Sequence, residues 1–144
     1  RAGRAGANNV ILLNDYNNLK MYDLVLVDAP CTGSGTWRRS ADARWRITPQ
    51  QSAGIIKTQR EILDKACRFV KKGGKLFYIT CSLDPAENED QVRAFLQNHN
   101  DFKLEDLSPV LENLTGQKRT DKTVRLNPSV FQTDGFFAAS FIKK

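Results

Sequence analysis

The chain has 144 residues, of which 40% are hydrophobic and 26% charged, and carries a net charge of +6, three cysteines and one histidine. That length suits one domain with a real core. No stretch approaches the roughly 20 apolar residues of a membrane span, so no membrane partner is expected. Three dispersed cysteines lack the spacing of a disulfide framework, and His99 alone cannot complete a zinc set with them; a reducing, cytoplasmic setting follows.

The chain starts Arg1-Ala2-Gly3 rather than at a methionine, which reads as the tail of a helix. No signal-peptide pattern is present, although a missing N-terminus would hide one. Val10 to Leu13 follows Asn8-Asn9 and reads as a short strand, and Asn14 to Asn18 is a turn-rich break. Leu24 to Asp28 is nearly all apolar, as expected of a strand covered on both faces. Thr32-Gly33-Ser34-Gly35-Thr36 is a flexible loop, and without a lysine it is no phosphate-cradling P-loop.

Residues 1–72 hold 13 Lys/Arg and 6 Asp/Glu, giving +7, and residues 73–144 hold 9 and 10, giving −1. Within the basic half, Arg38, Arg39, Arg44 and Arg46 fall inside nine residues, interleaved with Trp37 and Trp45. Arginines beside aromatics suit a phosphate-rich polymer with unstacked bases. The competing reading is a solvated loop whose tryptophans pack inward.

Thr48-Pro49-Gln50-Gln51 is a helix start: Thr48 caps, Pro49 takes the first helical position and Gln51 completes a capping box. Ile55, Ile56, Ile62, Leu63, Ala66, Phe69 and Val70 recur at helical spacing, and Gly73-Gly74 is expected to stop the helix. Cys67, beside Ala66, reads as core. Lys75 to Thr80 is the next strand, so strand, helix and strand form a parallel crossover. Asp84-Pro85-Ala86-Glu87 repeats the capping logic ahead of a helix with Val92, Phe95 and Leu96 on its apolar face, ending near Asn98. Phe102 to Leu107 is a strand. Ser108 to Thr133 is polar and weakly patterned, Thr133-Asp134-Gly135 is a turn with Asp134 as a turn residue, and Phe136 to Ile142 is the last strand. Neither an internal repeat nor a linker interrupts the single domain.

Two cysteines, Cys31 and Cys81, each stand where an apolar strand stops. Ligands of open α/β sheets bind outside the carboxyl ends of strands. If the strands are parallel neighbours, both thiols face one crevice beside Asp28, an arrangement suited to covalent chemistry on an electrophile. For a single strand-end cysteine, packing is the commoner role.

Asp28-Ala29-Pro30-Cys31-Thr32-Gly33-Ser34-Gly35-Thr36, Thr80-Cys81-Ser82 and Asp134-Gly135-Phe136-Phe137, in this order, resemble the RNA cytosine-5 methyltransferases of the Sun/NOL1/Nop2 type, closest to bacterial small-subunit rRNA enzymes. Gly35-Thr36-Trp37-Arg38-Arg39 and Pro85 to Gln91 fit as well. The resemblance covers nearly the whole chain and implies S-adenosylmethionine as cofactor, RNA, most of all rRNA, as partner, Cys81 as nucleophile, Cys31 as the group that assists product release, and Asp28 against both cytosine edge and cofactor. Pro30 would line the cofactor site. Asp15 stands where this family places a carboxylate near the adenine, or is simply a turn-forming aspartate. The family's Gly-rich cofactor loop and acidic ribose-binding residue have no counterpart here. The fold expected is therefore α/β: a partial Rossmann-like methyltransferase domain, residues 1–144 forming its C-terminal portion, with a mostly parallel sheet, an antiparallel C-terminal strand and the first two strands lacking. The Leu24 strand would then have a bare edge, to be covered by the Val10 strand or by self-association. Two other readings compete: a DNA cytosine-5 methyltransferase, in which the Pro-Cys cysteine Cys31 would be nucleophile, and a non-catalytic basic RNA-binding module.

Overall fold

The structure, a computed structural model, describes Gly6, residues 20–116, Lys118 and residues 120–144. The Val10 strand and Asp15 lie outside those residues, so neither expectation is addressed by the fold. Among the described residues one sheet of five strands is built from β1 (Tyr22–Asp28), β2 (Val70–Thr80), β3 (Phe102–Leu104), β4 (Val124–Leu126) and β5 (Phe136–Lys143). Its order is β1-β2-β5-β3, with β4 also pairing β5. The first pair, β1 and β2, is parallel, while β5 runs antiparallel to β2, β3 and β4. Four strands thus share a direction and only the last opposes them, as the family resemblance implies.

The crossover between β1 and β2 is α1 (Pro49–Ala66). Its start is the expected capping box: Thr48 Oγ1 accepts from the Gln51 amide at 3.2 Å and Gln51 Oε1 accepts from the Thr48 amide at 2.9 Å. Two orphan donors of the first turn are satisfied in this way. Its end differs from the expectation. The helix stops at Ala66, Cys67–Phe69 form a 3₁₀ turn, and Val70 already pairs with Tyr22. The glycines sit inside β2 instead, where Gly73 at φ 76° carries a register shift between the Tyr22–Val70 and Leu24–Lys75 pairs. Left-handed backbone costs glycine nothing, so the strand accepts the bulge there. Phe69 and Val70 continue the helical spacing by coincidence of sequence, and sheet pairing overrides it.

The second helix, α2 (Glu89–Asn98), packs on α1. Between them and the sheet lies the core: Val27, Leu63, Leu76, Tyr78, Val92, Phe95, Phe137, Ala139 and Phe141. Burying each large side chain there contributes roughly 1.5–3 kcal/mol relative to leaving it in water. The Phe95 ring lies 4.5 Å from Phe141 and 5.2 Å from Phe102, centroid to centroid, closing the core at the β3 end. Glu105, just past β3, accepts from Lys75 Nζ and Ser140 Oγ, both at 2.6 Å. The weakly patterned stretch after it folds into α3 (Ser108–Thr115), β4 and the single turn α4 (Pro128–Phe131).

One face of β1 departs from the sequence expectation. Val25 and Val27 turn toward the helices, whereas Leu24 and Leu26 are 56% and 58% exposed. Side chains alternate along a strand, and among the described residues α1 and α2 cover one face alone. Among the described residues β1 pairs only with β2, and the Val10 strand expected to cover its outer edge lies outside them.

Candidate active site

Parallel pairing of β1 with β2 puts their carboxyl ends side by side, with Asp28 opposite Ile79. The chain then leaves β1 through Pro30 and β2 through Cys81, with the Ala29 amide bonded to the Ile79 carbonyl at 2.9 Å. The result is a contact no spacing could reveal: Cys31 Sγ lies 3.3 Å from Cys81 Sγ. Both thiols are free and partly accessible. Burial, and after it the hydrogen bond with Cys81, pushes the Cys31 thiol up to about 12 from an ordinary 9.0. Cys31 therefore holds its proton at neutral pH and can donate it toward the Cys81 sulfur.

Asp28 and Pro30 lie exposed beside the pair. No side-chain hydrogen bond or ion pair among the described residues occupies the Asp28 carboxylate. A free carboxylate at a strand's carboxyl end accepts from cationic or amino-bearing ligands, so it fits one wall of a site for a sulfonium cofactor.

The loops bearing the two cysteines are tied by groups that no sequence motif singles out. The capping logic places Glu87 in the first turn of a helix. Instead Asp84 caps a 3₁₀ turn at Pro85–Glu87, accepting from the Ala86 amide at 2.9 Å, and the Glu87 carboxylate turns inward. It accepts from the Thr32 amide (2.9 Å), Thr32 Oγ1 (2.5 Å), Ser82 Oγ (2.7 Å) and Gln59 Nε2 (3.0 Å). Ser34 Oγ adds a link, 3.0 Å from Ser82 Oγ and accepting from the Leu83 amide at 2.8 Å. The one hint in the sequence is the resemblance of the Pro85–Gln91 run, which says nothing of what Glu87 touches.

Beyond Ser34 the loop meets the start of β5. The Gly35 amide donates to the Cys81 carbonyl at 2.9 Å and the Gly135 amide donates to the Gly35 carbonyl at 2.8 Å. A Cβ at Gly35 would overlap the Gly135 carbonyl, with the Gly135 Cα only 2.8 Å away. The turn after Thr133 thus serves as a buttress, and Asp134 is more than a turn residue: it ion-pairs with Arg39 and, at 3.6 Å, with Arg38. Arg46 pairs with Asp42, and the Arg44 guanidinium stacks 4.6 Å from the centre of the Trp45 ring. Trp45 is 79% exposed, so only Trp37 turns even partly inward. The Arg46–Asp42 pair is exposed on both sides and contributes about 0–1 kcal/mol, whereas the Asp134 side chain is largely buried beneath its two exposed arginines.

Cys67 stands apart from this site. It is buried, 3.8 Å from His99 Nδ1, and His99 Nε2 contacts Asp64 at 2.8 Å. Burial first, and Asp64 second, raise its pKa, so it stays a protonated core thiol. Among the described residues no cluster of His, Cys, Asp and Glu is arranged to hold a metal ion.

Known proteins share this fold. The family described as 16S rRNA methyltransferase RsmB/F matches residues 6–142. A probable ribosomal RNA small subunit methyltransferase B of Bacillus subtilis is 41% identical over 129 residues, which cover 87% of this chain and 28% of that protein. Among solved structures, a methyltransferase homologue from Pyrococcus horikoshii superposes with a TM-score of 0.75 at 35% identity, covering 99% of this chain and 48% of its own. NSun6 from the same organism, solved with SFG, superposes with a TM-score of 0.76 at 27% identity, covering 99% and 36%. With the match running through nearly its whole length, the chain belongs to the RsmB/F family of 16S rRNA methyltransferases.

Proposed function

We propose that this chain carries the thiol half of the active site of an S-adenosylmethionine-dependent RNA methyltransferase acting on carbon 5 of a cytosine, in small-subunit rRNA, and that it forms the C-terminal portion of the catalytic domain. The observation that carries the reading is the 3.3 Å contact between Cys31 and Cys81 at the carboxyl ends of paired parallel strands. Carbon 5 of cytosine is a poor nucleophile. Addition of the Cys81 thiolate to carbon 6 pushes the ring electrons toward carbon 5 and makes it an enamine carbon. S-adenosylmethionine, when bound, supplies the methyl group to that carbon. Solvent water then takes the carbon 5 proton, the electrons of that C–H bond re-form the carbon 5–carbon 6 double bond, and the carbon–sulfur bond breaks with its electron pair returning to the Cys81 sulfur. Cys31, which keeps its proton, stands in contact with the leaving sulfur and assists that release. Asp28 is free to hydrogen-bond the cytosine edge and to face the cofactor together with Pro30. Stacked bases do not reach such a crevice, so the target is extruded or already single-stranded.

The loop of Arg38, Arg39, Arg44 and Arg46 would hold RNA backbone, with Trp45 offering an open ring to an unstacked base. Membership of an rRNA methyltransferase family favours RNA over DNA and a catalytic role over a purely binding one, and it supports a cytoplasmic location. The experiment uses RNA bearing 5-fluorocytosine, which cannot lose a proton from carbon 5. In the intact protein Cys81→Ala should abolish the covalent adduct and Cys31→Ala should leave it trapped. If Cys31→Ala alone prevents the adduct, the two roles are reversed.

A further inference from the structure

Glu87 is fully buried, and all four partners of its carboxylate are neutral. Taking a carboxylate out of water is costly, and only good hydrogen bonds on every side offset it. Fold stability alone would be served as well by an apolar side chain of that size. What the carboxylate does that an apolar group cannot is join three segments at once. Thr32 immediately follows Cys31, and Ser82 immediately follows Cys81. Gln59 on α1 donates both to Glu87 and, at 2.9 Å, to the carbonyl of Pro30, immediately before Cys31. Glu87 is itself held to β2: its carbonyl accepts from the buried Tyr78 hydroxyl at 2.6 Å, and its neighbour Asn88 donates to the Ser82 carbonyl at 2.8 Å.

We propose that Glu87 is a positioning residue, whose buried carboxylate clamps the residues following Cys31 and Cys81 and so holds the two sulfurs in contact. It touches neither sulfur, and acts through Thr32 and Ser82. The hydrogen-bond pattern makes a specific demand. The Thr32 and Gln59 N–H groups facing Oε2 can only donate, whereas the Thr32 and Ser82 hydroxyls facing Oε1 can turn round and accept. Glu87→Gln therefore keeps every link, with its oxygen toward the N–H groups and its NH₂ toward the hydroxyls. Glu87→Ala keeps none.

The first readout is independent of turnover: the equilibrium of the intact protein with glutathione disulfide, in which two thiols become a Cys31–Cys81 disulfide and two glutathione molecules are released, with the linked peptides identified by mass. Releasing a preorganised pair lowers its effective concentration, so Glu87→Ala should disfavour that disulfide by about tenfold or more, and Glu87→Gln by less than about threefold. Thr32→Val, which removes one hydroxyl link, covers the case in which Glu87→Ala fails to fold, and should fall between the two. A purely structural Glu87 would lower the unfolding midpoint and leave the disulfide equilibrium of the folded protein unchanged; that result, or Glu87→Gln as damaging as Glu87→Ala, overturns the proposal. The second readout rests on the proposed function: with Glu87→Ala, kcat should fall and KM for RNA should stay. A loosened pair with unchanged turnover overturns the role of the thiols in the reaction and leaves the clamp in place.

Discussion

The close approach of Gly35 to Gly135 sets the position of the basic loop, and Gly35→Ala perturbs it with a single methyl group. That methyl would overlap the Gly135 carbonyl, which belongs to backbone and cannot swing aside. Two responses are open. The loops can part, losing the bonds of 2.8 and 2.9 Å that link Gly135 to Gly35 and Gly35 to Cys81, at roughly 0.5–1.5 kcal/mol each. They can instead stay and bear the overpacking, at roughly 1–3 kcal/mol. The chain takes the cheaper route, so the loss is about 1–3 kcal/mol either way, equivalent to roughly 3–10 °C in Tm for a domain of this size. Gly54→Ala is the internal control. Gly54 sits in the interior of α1 with nothing within 4 Å of an added Cβ, so alanine there should gain about 0.5–1 kcal/mol. Urea unfolding at constant m-value measures both. Opposite signs are expected; a Gly35→Ala variant within about 0.5 kcal/mol of the parent, a scale set by ordinary surface substitutions, would refute the argument that backbone proximity dictates this glycine.

Cys31 makes stability depend on alkaline pH. Its pKa is raised from 9.0 to about 12, so the protonated form is favoured in the folded chain; that contribution is complete below pH 9 and is lost as the pH climbs toward 12. Unfolding midpoints compared between pH 8 and about 10.5 should fall further for the parent than for Cys31→Ser, whose hydroxyl does not titrate in that window; parallel declines would show that the thiol is not perturbed. For the basic loop, replacing Arg38, Arg39, Arg44 and Arg46 with glutamine in the intact protein should weaken RNA binding and reduce its salt slope by about 1 for each phosphate that is no longer neutralised. An unchanged slope would mean that the pairs with Asp134 and Asp42 are the loop's whole purpose.

By itself the sequence determined what is local. A capping box with proline at the first position needs no partner beyond its own turn, so the start of α1 was legible to the residue, and apolar runs ending in polar residues placed Asp28, Cys31 and Cys81 at the ends of two strands. The end of α1 was not legible, because helical spacing through Val70 competes with a sheet partner 48 residues away in sequence, Tyr22, and pairing wins. The apolar composition of β1 likewise could not say that, among the described residues, its Leu24 face is exposed, since which face a strand buries depends on where the helices land. The 3.3 Å sulfur contact, the glycine pair and the buried Glu87 are tertiary in the same sense. Each joins segments about 50 or more residues apart, as Cys31 with Cys81 or Gly35 with Gly135, and hydrogen bonds and van der Waals overlap act only over a few ångströms. A glutamate that follows Asp-Pro-Ala looks like a cap, and only the strand pairing that brings Thr32 to it, 55 residues away in sequence, makes it a clamp.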